Sequence, residues 1–265
     1  MSVKGNTITA ASLPRDTARV PRPASMGGGT FPGKANSILK QLLAGTTVDG
    51  ALNKFDLVIE NLLNIEVDYH ALIWFNGFTT LVDKIDPINV NSERQIYDGK
   101  HVDQNGSPPG VFFPKWNGYA LYAWNTGSSQ YCNGLFKQYS DPLAHPSTWC
   151  HRALPYVRTR HGANNDDWVR ARRQQEFIVS AIKAVSTTEL SGLVSTGQNE
   201  GMGKWVTNYP ISVGSATDLY NALHGASLGN HVVFKPSQFA ARIPGTSSYE
   251  LKLPEIRAWA ATYLK

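Results

Sequence analysis

The segment from Asn164 to Ser186, NNDDWVRARRQQEFIVSAIKAVS, carries the clearest local pattern in this chain. Its apolar residues recur at spacings of three, four and seven, which predicts one buried face of an amphipathic α-helix. The residues of this face are Trp168, Ala171, Ile178, Ile182 and Val185. Asn164 or Asn165 is the predicted N-cap, and Asp166 and Asp167 follow where the positive helix end favours acidic groups. The segment therefore predicts a capped helix that packs on one side.

Basic residues are concentrated around this helix. Residues 152–183 hold seven Lys/Arg against three Asp/Glu, and we predict that the seven bind a nucleic-acid backbone; they are Arg152, Arg158, Arg160, Arg170, Arg172, Arg173 and Lys183. Arginine binds phosphate through two hydrogen bonds and stacks on bases, and backbone contacts require no sequence motif. The alternative is that these side chains pair with carboxylates inside the fold, as Glu176 is spaced to do with Arg172 or Arg173.

Other segments also have helical patterns. We predict a short helix over 35–44, a second helix capped by Thr47, a third over 68–85, one from Thr217 to His224, and a closing helix from Pro254 to Leu264. Residues 119–124 and 231–234 are short apolar runs that fit a strand or a helical turn. Residues 86–118 and 189–209 are rich in loop-forming residues and are predicted loops. The predicted fold class is mainly α, with a helical core, long irregular loops and a few short strands.

The segment over 1–33 differs in composition from the rest. Residues 1–40 hold six Lys/Arg against one Asp, whereas residues 41–151 hold six against eleven Asp/Glu. The first part is poor in apolar residues and rich in Pro, Gly, Ser and Thr, so it buries too little surface to order itself alone. We therefore predict a flexible basic arm over 1–33 and a single mainly helical domain over 34–265. Arg15, Arg19 and Arg22 are the predicted assembly residues of this arm.

Length and composition exclude several classes of protein. The 265 residues suffice for a folded core, and 42% apolar content with 17% charged content is typical of a globular protein. The polar N-terminus has no secretory signal, and the longest uncharged apolar run, 69–82, is too short to span a bilayer. Cys132 and Cys150 do not make a disulfide framework.

The arm, the alternating charge and the arginine-rich helix together favour a self-assembling structural protein. We predict a viral coat or nucleocapsid protein that forms a homo-oligomer and holds nucleic acid, RNA in preference to DNA. Its location would be the virion or the cytoplasm of the host cell. We predict neither a cofactor nor a metal site, and the sequence favours a protein that is not an enzyme.

An enzyme is the alternative class, and one candidate carries a family resemblance. Arg160-His161-Gly162 resembles the RHG triplet of the histidine phosphatase superfamily. The resemblance implies that His161 becomes phosphorylated while Arg160 holds the phosphate, with His224 or His231 as a second histidine. In that superfamily the triplet follows the first strand near the N-terminus, whereas here it lies beyond the middle of the chain.

Cys132 offers a second enzymatic hypothesis, a thiol hydrolase with His224 or His231 as base and Asp218 or Asn230 as orienting group. A zinc site at Cys132, His145, Cys150 and His151 has poor spacing, because adjacent Cys-His residues rarely bind one ion together. A further alternative is an injected bacterial effector whose polar N-terminus is a targeting signal. These alternatives remain open at the level of sequence.

Overall fold

A computed structural model of the chain describes residues 1–85, 87–92, 94–98, 111–113, 115–123, 152–160, 166–200 and 204–265. The chain divides into two compact units. Unit 1 comprises Met1–Ile73, Trp205–Pro210 and Ala226–Lys265, and unit 2 comprises Trp74–Lys204 and Ile211–Gly225. Residues of the predicted domain over 34–265 contribute to both units.

The structure contains both strands and helices. The strands are β1 (Ser2–Lys4), β2 (Thr7–Ser12), β3 (Thr17–Ala18), β4 (Ala71–Ile73), β5 (Ile88–Ser92), β6 (Ile96–Asp98), β7 (Val111–Phe113), β8 (Trp116–Leu121), β9 (Trp205–Thr207), β10 (Ser227–Val233), β11 (Ala240–Arg242) and β12 (Tyr249–Leu251). The helices are α1 (Ile38–Leu43), α2 (Val48–Leu63), α3 (Phe75–Ile85), α4 (Ala153–Arg158), α5 (Asp167–Ala184), α6 (Thr187–Glu200), α7 (Val213–His224) and α8 (Leu253–Tyr263).

The N-terminal segment over 1–33 forms part of unit 1 instead of a separate arm. Strand β2 pairs antiparallel with β1 and parallel with β10, and β3 pairs parallel with β12. Ile8 and Ala10 of β2 are buried. The prediction of a flexible arm missed this arrangement because β10 and β12, the parallel partners of β2 and β3, lie near the opposite end of the chain.

Helices α1, α2 and α8 complete unit 1. Thr47 caps α2 by accepting a hydrogen bond from the Gly50 amide at 3.2 Å, which confirms the predicted cap. The predicted helix over 35–44 is confirmed as a 3₁₀ turn followed by α1, and the closing helix is confirmed as α8. One core cluster joins Leu62 of α2 to Phe234 and to Ile256 of α8. These helices were predictable because each carries its own cap or apolar face.

Three predicted segments are wrong. The loop predicted over 86–118 contains β5, β6, β7 and the beginning of β8. The helix predicted over 68–85 begins only at Phe75, since residues 71–73 form β4, which pairs antiparallel with β9. The loop predicted over 189–209 contains most of α6 and all of β9. Leu193 of α6 packs against the core of unit 2, and this packing stabilises a helix whose glycine and threonine content alone disfavours it.

Unit 2 is built on two antiparallel strand pairs, β5 with β8 and β6 with β7. Its core includes Ile88, Phe113, Leu121, Tyr156 and Phe177. Residues 119–121 of the apolar run predicted over 119–124 belong to β8, so the strand interpretation is correct for them. The predicted hairpin at Asn105-Gly106 lies outside the described residues.

The fold class is mixed α/β, and the prediction of a mainly α chain is wrong. Most of the strands are three to seven residues long and pair with partners that are distant in sequence. A short strand has too few residues to show a clear period of two, so periodicity detected the longer helices and missed most of the sheets.

Candidate functional site

Helix α5 positions the arginine-rich region of unit 2. Its N-cap is Asp166, whose carboxylate accepts the amide hydrogens of Trp168 at 3.0 Å and Val169 at 2.9 Å. The predicted caps, Asn164 and Asn165, lie outside the described residues. The side chains buried on α5 are Ala171, Arg173, Gln175, Phe177 and Val179. The predicted apolar stripe is therefore only partly correct: Ala171 is buried, Ile178 is 43% exposed, and an arginine faces the interior.

Arg173 is the buried guanidinium of this helix and is 5% exposed. It donates one hydrogen bond to the carbonyl of Tyr156 at 2.7 Å and another to that of Thr159 at 2.6 Å. The adjacent Gln174 donates to the carbonyl of Val157 at 2.9 Å. These carbonyls lie at the C-terminal end of α4, where helices leave carbonyls unsatisfied and favour cations. Arg173 and Gln174 therefore hold the end of α4 in place.

Burial lowers the pKa of Arg173 to about 10. The charge of Arg170 also lowers it, while the carboxylates of Asp98 and Glu176 oppose the shift because they favour the charged form. The shifted value still lies well above neutral pH, so Arg173 keeps its charge there. A permanent positive charge thus lies beneath the segment that follows α4.

Asp98 holds the same segment from strand β6. This carboxylate is buried, and its Oδ2 atom accepts hydrogen bonds from the Thr159 hydroxyl and from the Arg160 amide, the latter at 3.2 Å. The backbone from Tyr156 to Arg160 is therefore bound by two buried charged groups of opposite sign. These hydrogen bonds fix the backbone from which the side chains of Arg158 and Arg160 extend.

Arg158 and Arg160 are both partly exposed. The Arg158 guanidinium lies 4.1 Å from the centre of the Phe75 ring, a distance suited to a cation–π interaction. Partial burial lowers the pKa of Arg158. The two arginines, Arg158 at the end of α4 and Arg160 two residues beyond it, form a cationic edge, and planar guanidinium groups are suited to binding phosphate.

A shallow cleft lies in unit 2 where α4, α5 and the strands β5 and β6 contribute lining residues. Its lining residues are Ser92, Arg94, Ile96, Tyr156, Val169, Arg172, Arg173 and Glu176. Arg94 was missed by the sequence analysis because it stands alone in an acidic region. Glu176, predicted to pair with Arg172 or Arg173, accepts the Asn91 amide at 2.6 Å. The cleft therefore brings three guanidinium groups and one carboxylate together.

The other predicted phosphate-binding residues are more scattered. Arg170 forms an ion pair with Asp167 at 3.5 Å, and Arg152 immediately precedes α4. Lys183 is exposed in the last turn of α5. The seven predicted residues therefore belong to one unit, but they differ in exposure and in the groups that they contact.

The predicted assembly residues of the N-terminal region lie in unit 1 and contact their own unit. Arg19 forms an ion pair with Glu250 at 3.0 Å. Arg15 lies 3.7 Å from Asp16, and the Arg22 guanidinium lies 5.0 Å from the centre of the Phe31 ring. Each of these arginines therefore has a contact within the same chain.

The enzymatic alternatives receive no support from the described residues. His161 and Cys132 lie outside them, as do His145, Cys150 and His151. His224 stacks on Tyr220, and the Nδ1 atom of His231 lies 3.0 Å from the Gly229 carbonyl oxygen. Within the described part of the chain, no group of three or more His, Cys, Asp or Glu residues is arranged to hold a metal.

The described helices were also compared with the requirements of a membrane span. No single one of them has the length and apolar character needed to cross a bilayer. Residues 167–184 and 187–196 meet the length and composition criteria as a pair, with a bend of 113° between them.

Comparison with known proteins gives a family match over part of the chain and a fold for nearly all of it. Residues 1–121 match the profile of the LytR_cpsA_psr family. Among curated proteins, none matches the chain significantly. The chain is similar to the crystal structure of Bacillus subtilis TagV, with a TM-score of 0.59 and 18% identity over 96% of this chain and 82% of that one.

Two further solved structures show the same likeness. A Streptococcus agalactiae protein has a TM-score of 0.59 and 21% identity, over 97% of this chain and 74% of the other. Bacillus subtilis TagU has a TM-score of 0.53 and 18% identity, over 98% of this chain and 87% of the other. At these identities the likeness establishes a shared mixed α/β fold.

These comparisons contradict the prediction of a viral coat or nucleocapsid protein. The matching family profile and the similar structures TagU and TagV belong to bacterial proteins and not to viral coat or nucleocapsid proteins. The predicted virion or host-cytoplasm location is contradicted as well, because LytR-CpsA-Psr proteins act at the bacterial cell envelope.

Proposed function

We propose that this chain takes part in attaching a phosphate-containing polymer to the bacterial cell wall. The observation that carries the proposal is the LytR_cpsA_psr match over residues 1–121, together with a fold similar to TagV over 96% of the chain. Family members are cell-wall glycopolymer transferases. The arginine-rich site of unit 2 supplies the chemistry that such a substrate requires.

In this proposal Arg158 and Arg160 contact the phosphate groups of the substrate. Arg173 and Asp98 are positioning residues, because they bind the backbone that carries those two arginines. In this proposal Arg94 and Arg172, which line the shallow cleft of unit 2, contribute further positive charge toward an anionic polymer. The ligand predicted from sequence thus changes from nucleic acid to a cell-wall polymer, while the phosphate chemistry is the same.

A cationic edge on an anchored backbone is suited to transfer as well as to binding. Moving a phosphate-linked polymer breaks one P–O bond and forms another to an acceptor hydroxyl, and negative charge builds up on the departing oxygen. Guanidinium groups that are already held in place stabilise this charge without reorganisation at the moment of reaction. The buried anchors at Asp98 and Arg173 provide this preorganisation.

Self-association of the chain remains a prediction made from the sequence.

The test is a transfer assay with the purified full-length chain. The protein is incubated with isolated peptidoglycan and a lipid-linked cell-wall polymer carrying radiolabelled phosphate, and label in the insoluble wall is counted. We expect transfer by the wild type and a loss of about 10²-fold in Arg158→Ala/Arg160→Ala, as for removal of preorganised charge-stabilising groups.

Arg242→Ala is the matched control, since Arg242 is an exposed arginine of unit 1 that donates to the Thr246 carbonyl. It should transfer at the wild-type rate. Absence of transfer by the wild type, or equal transfer by the double variant, would contradict the proposal. Tight binding to RNA that is lost in the same double variant would instead favour the nucleic-acid prediction.

A further inference from the structure

The β4–β9 ribbon of unit 1 has one unusually apolar exposed face. In the ladder Ala71 lies opposite Thr207, and Ile73 opposite Trp205. Extending this register along both strands places Tyr69 opposite Tyr209, and their ring centroids are 4.8 Å apart at an interplanar angle of 79°. Side chains alternate along a strand, so Tyr69, Ala71 and Ile73 share one face.

The β4 half of this face is exposed to solvent, whereas on the β9 half Trp205 is buried and Thr207 and Tyr209 are partly exposed. Tyr69 is 58% exposed and Ile73 is 46% exposed, and Ala71 between them is also exposed. The alternate residues, His70 and Leu72, are partly buried on the opposite side of the strand. A contiguous exposed apolar strip is unfavourable in water and is more typical of a binding surface than of a solvated one.

The backbone under the two tyrosines is tightly held. The Asn208 side chain accepts the His70 amide at 2.7 Å, and the Thr207 hydroxyl donates to the His70 carbonyl at 2.6 Å. The same hydroxyl accepts the Tyr209 amide at 3.0 Å. Beneath the ribbon, Nδ1 of His70 lies 2.6 Å from the carboxylate of Asp56 on α2. The aromatic face is therefore preorganised, which reduces the entropy lost on binding a ligand.

The charge around this face selects the class of ligand. Within 68–73 and 205–210, Asp68 is the one acidic residue and there is no Lys or Arg. A phosphate group or an anionic lipid surface would lack a cationic partner here. A short ribbon with two tyrosines and one isoleucine is also much smaller than the roughly 800 Å² per partner that a stable protein interface buries.

A neutral sugar chain fits these conditions. A pyranose ring has an apolar C–H face that packs on an aromatic ring, and its hydroxyl groups bond to the polar groups at the rim. Tyrosine supplies both a ring face and a hydroxyl. We propose that the Tyr69–Tyr209 face binds the neutral glycan of the cell wall. The choice of a cell-wall glycan rests on the proposed function, and the face would hold the acceptor strand.

The experiment titrates the full chain with chitotetraose, a neutral tetramer of N-acetylglucosamine, and follows binding by calorimetry and by saturation-transfer NMR. We expect saturable binding by the wild type and an affinity about tenfold lower in Tyr69→Ala, because one ring face is removed. Tyr69→Phe keeps the ring and should lose less affinity than Tyr69→Ala. Far-UV circular dichroism of each variant verifies that the chain is folded.

Tyr263→Ala is the matched control, since Tyr263 is another exposed tyrosine of unit 1 with an aromatic neighbour, Trp259 at 5.5 Å. It should bind the sugar like the wild type. Absence of saturable binding, or equal weakening in Tyr263→Ala, would overturn the proposal. Binding to phosphatidylglycerol vesicles that is lost in Tyr69→Ala, without sugar binding, would also overturn it in favour of a lipid surface.

The transfer assay separates this inference from the proposed function. If both hold, Tyr69→Ala raises the KM for peptidoglycan and leaves kcat nearly unchanged, whereas Arg158→Ala/Arg160→Ala lowers kcat. Sugar binding without any transfer would contradict the proposed function and leave the sugar-binding face intact. Transfer with an unchanged KM in Tyr69→Ala would overturn the sugar-binding face alone.

Discussion

The N-terminal region over 1–34 and helix α5 are both rich in basic residues, but the two regions hold their charges differently. In the N-terminal region, Lys34 pairs with Asp16 at 2.7 Å and Arg19 with Glu250 at 3.0 Å, and these ion pairs are partly exposed. In α5, Arg173 is buried and donates to backbone carbonyls. An exposed ion pair contributes little to stability, whereas removal of a buried guanidinium leaves its buried partners unsatisfied and is strongly destabilising. Similar composition therefore conceals different roles.

Removal of residues 1–12 should have the largest effect in this comparison. The deletion removes β1 and β2, takes Ile8 and Ala10 from the core, and leaves β10 without its parallel partner. Each fully buried aliphatic side chain contributes about 1.5–3 kcal/mol, so we expect the cooperative unfolding transition of unit 1 to disappear. Thermal unfolding followed by circular dichroism is the measurement.

Val3→Ser is the control for this deletion, because Val3 is an exposed residue of β1. It should unfold close to the wild-type temperature. A deletion variant that also unfolds at that temperature would show that the region is dispensable for folding, as an independent arm would be.

Arg173→Met should have the next largest effect on stability. The substitution retains an apolar side chain of similar length but leaves the carbonyls of Tyr156 and Thr159 buried without their donors. We expect the free energy of unfolding to fall by about 3 kcal/mol. Urea denaturation measures this change.

Arg172→Met is a closely matched control, since Arg172 is the preceding residue of the same helix and is exposed. It should change stability by less than about 0.5 kcal/mol. Equal effects of the two substitutions would show that burial of Arg173 is not what holds the end of α4.

Gly229→Ala examines the contact of β10 with the N-terminal strand. A Cβ atom at this position would lie 2.2 Å from the Thr7 methyl group, a distance that requires one of the two strands to shift. We expect a loss of about 1–3 kcal/mol in urea denaturation. Combining it with Thr7→Ala removes the obstructing methyl and should restore part of the loss.

Gly192→Ala serves as the comparison for that substitution, because nothing lies within 4 Å of a Cβ added there. Alanine in a helix interior is about 0.5–1 kcal/mol more favourable than glycine, so stability should rise. If Thr7→Ala fails to rescue Gly229→Ala, the close approach of β2 and β10 is not the cause of the loss.

Arg19→Met should have the smallest effect. Its ion pair with Glu250 is about half exposed on both sides, and such pairs contribute about 0–1 kcal/mol, decreasing with salt. A double-mutant cycle with Glu250→Gln at low and high salt isolates the pair. A coupling energy as large as the loss from Arg173→Met would remove the distinction between the two regions.

Local patterns predicted the elements that carry their own signals. The cap at Thr47 and the closing helix with Pro254 in its first turn were both predicted from adjacent residues. The prediction of a helix at α5 was correct, but the sequence did not assign Arg173 to the buried face of that helix. Arginine is normally exposed, and only the carbonyls at the end of α4 make its burial favourable.

In the candidate site, too, the sequence predicted what neighbouring residues determine and missed what distant residues determine. The sequence located the cluster of arginines from Arg152 to Lys183, because clustering of charge is visible along a chain. It did not include Arg94, which joins Arg172 in the cleft only after folding. Nor did it identify Asp98 as the group that binds the Thr159 hydroxyl and the Arg160 amide, since 61 residues separate Asp98 from Thr159.

By itself the sequence determined where most of the helices form and where basic groups are dense, because helical hydrogen bonds and capping act between residues a few positions apart. The tertiary structure decided that the N-terminal segment forms strands, that Arg173 faces inward and that Tyr69 meets Tyr209 on an open ribbon. Arg173 meets the Thr159 carbonyl 14 residues away, Tyr69 meets Tyr209 and Thr17 pairs with Tyr249 232 residues away. A chain reveals such partners only when folding brings their hydrogen-bonding groups and apolar surfaces together.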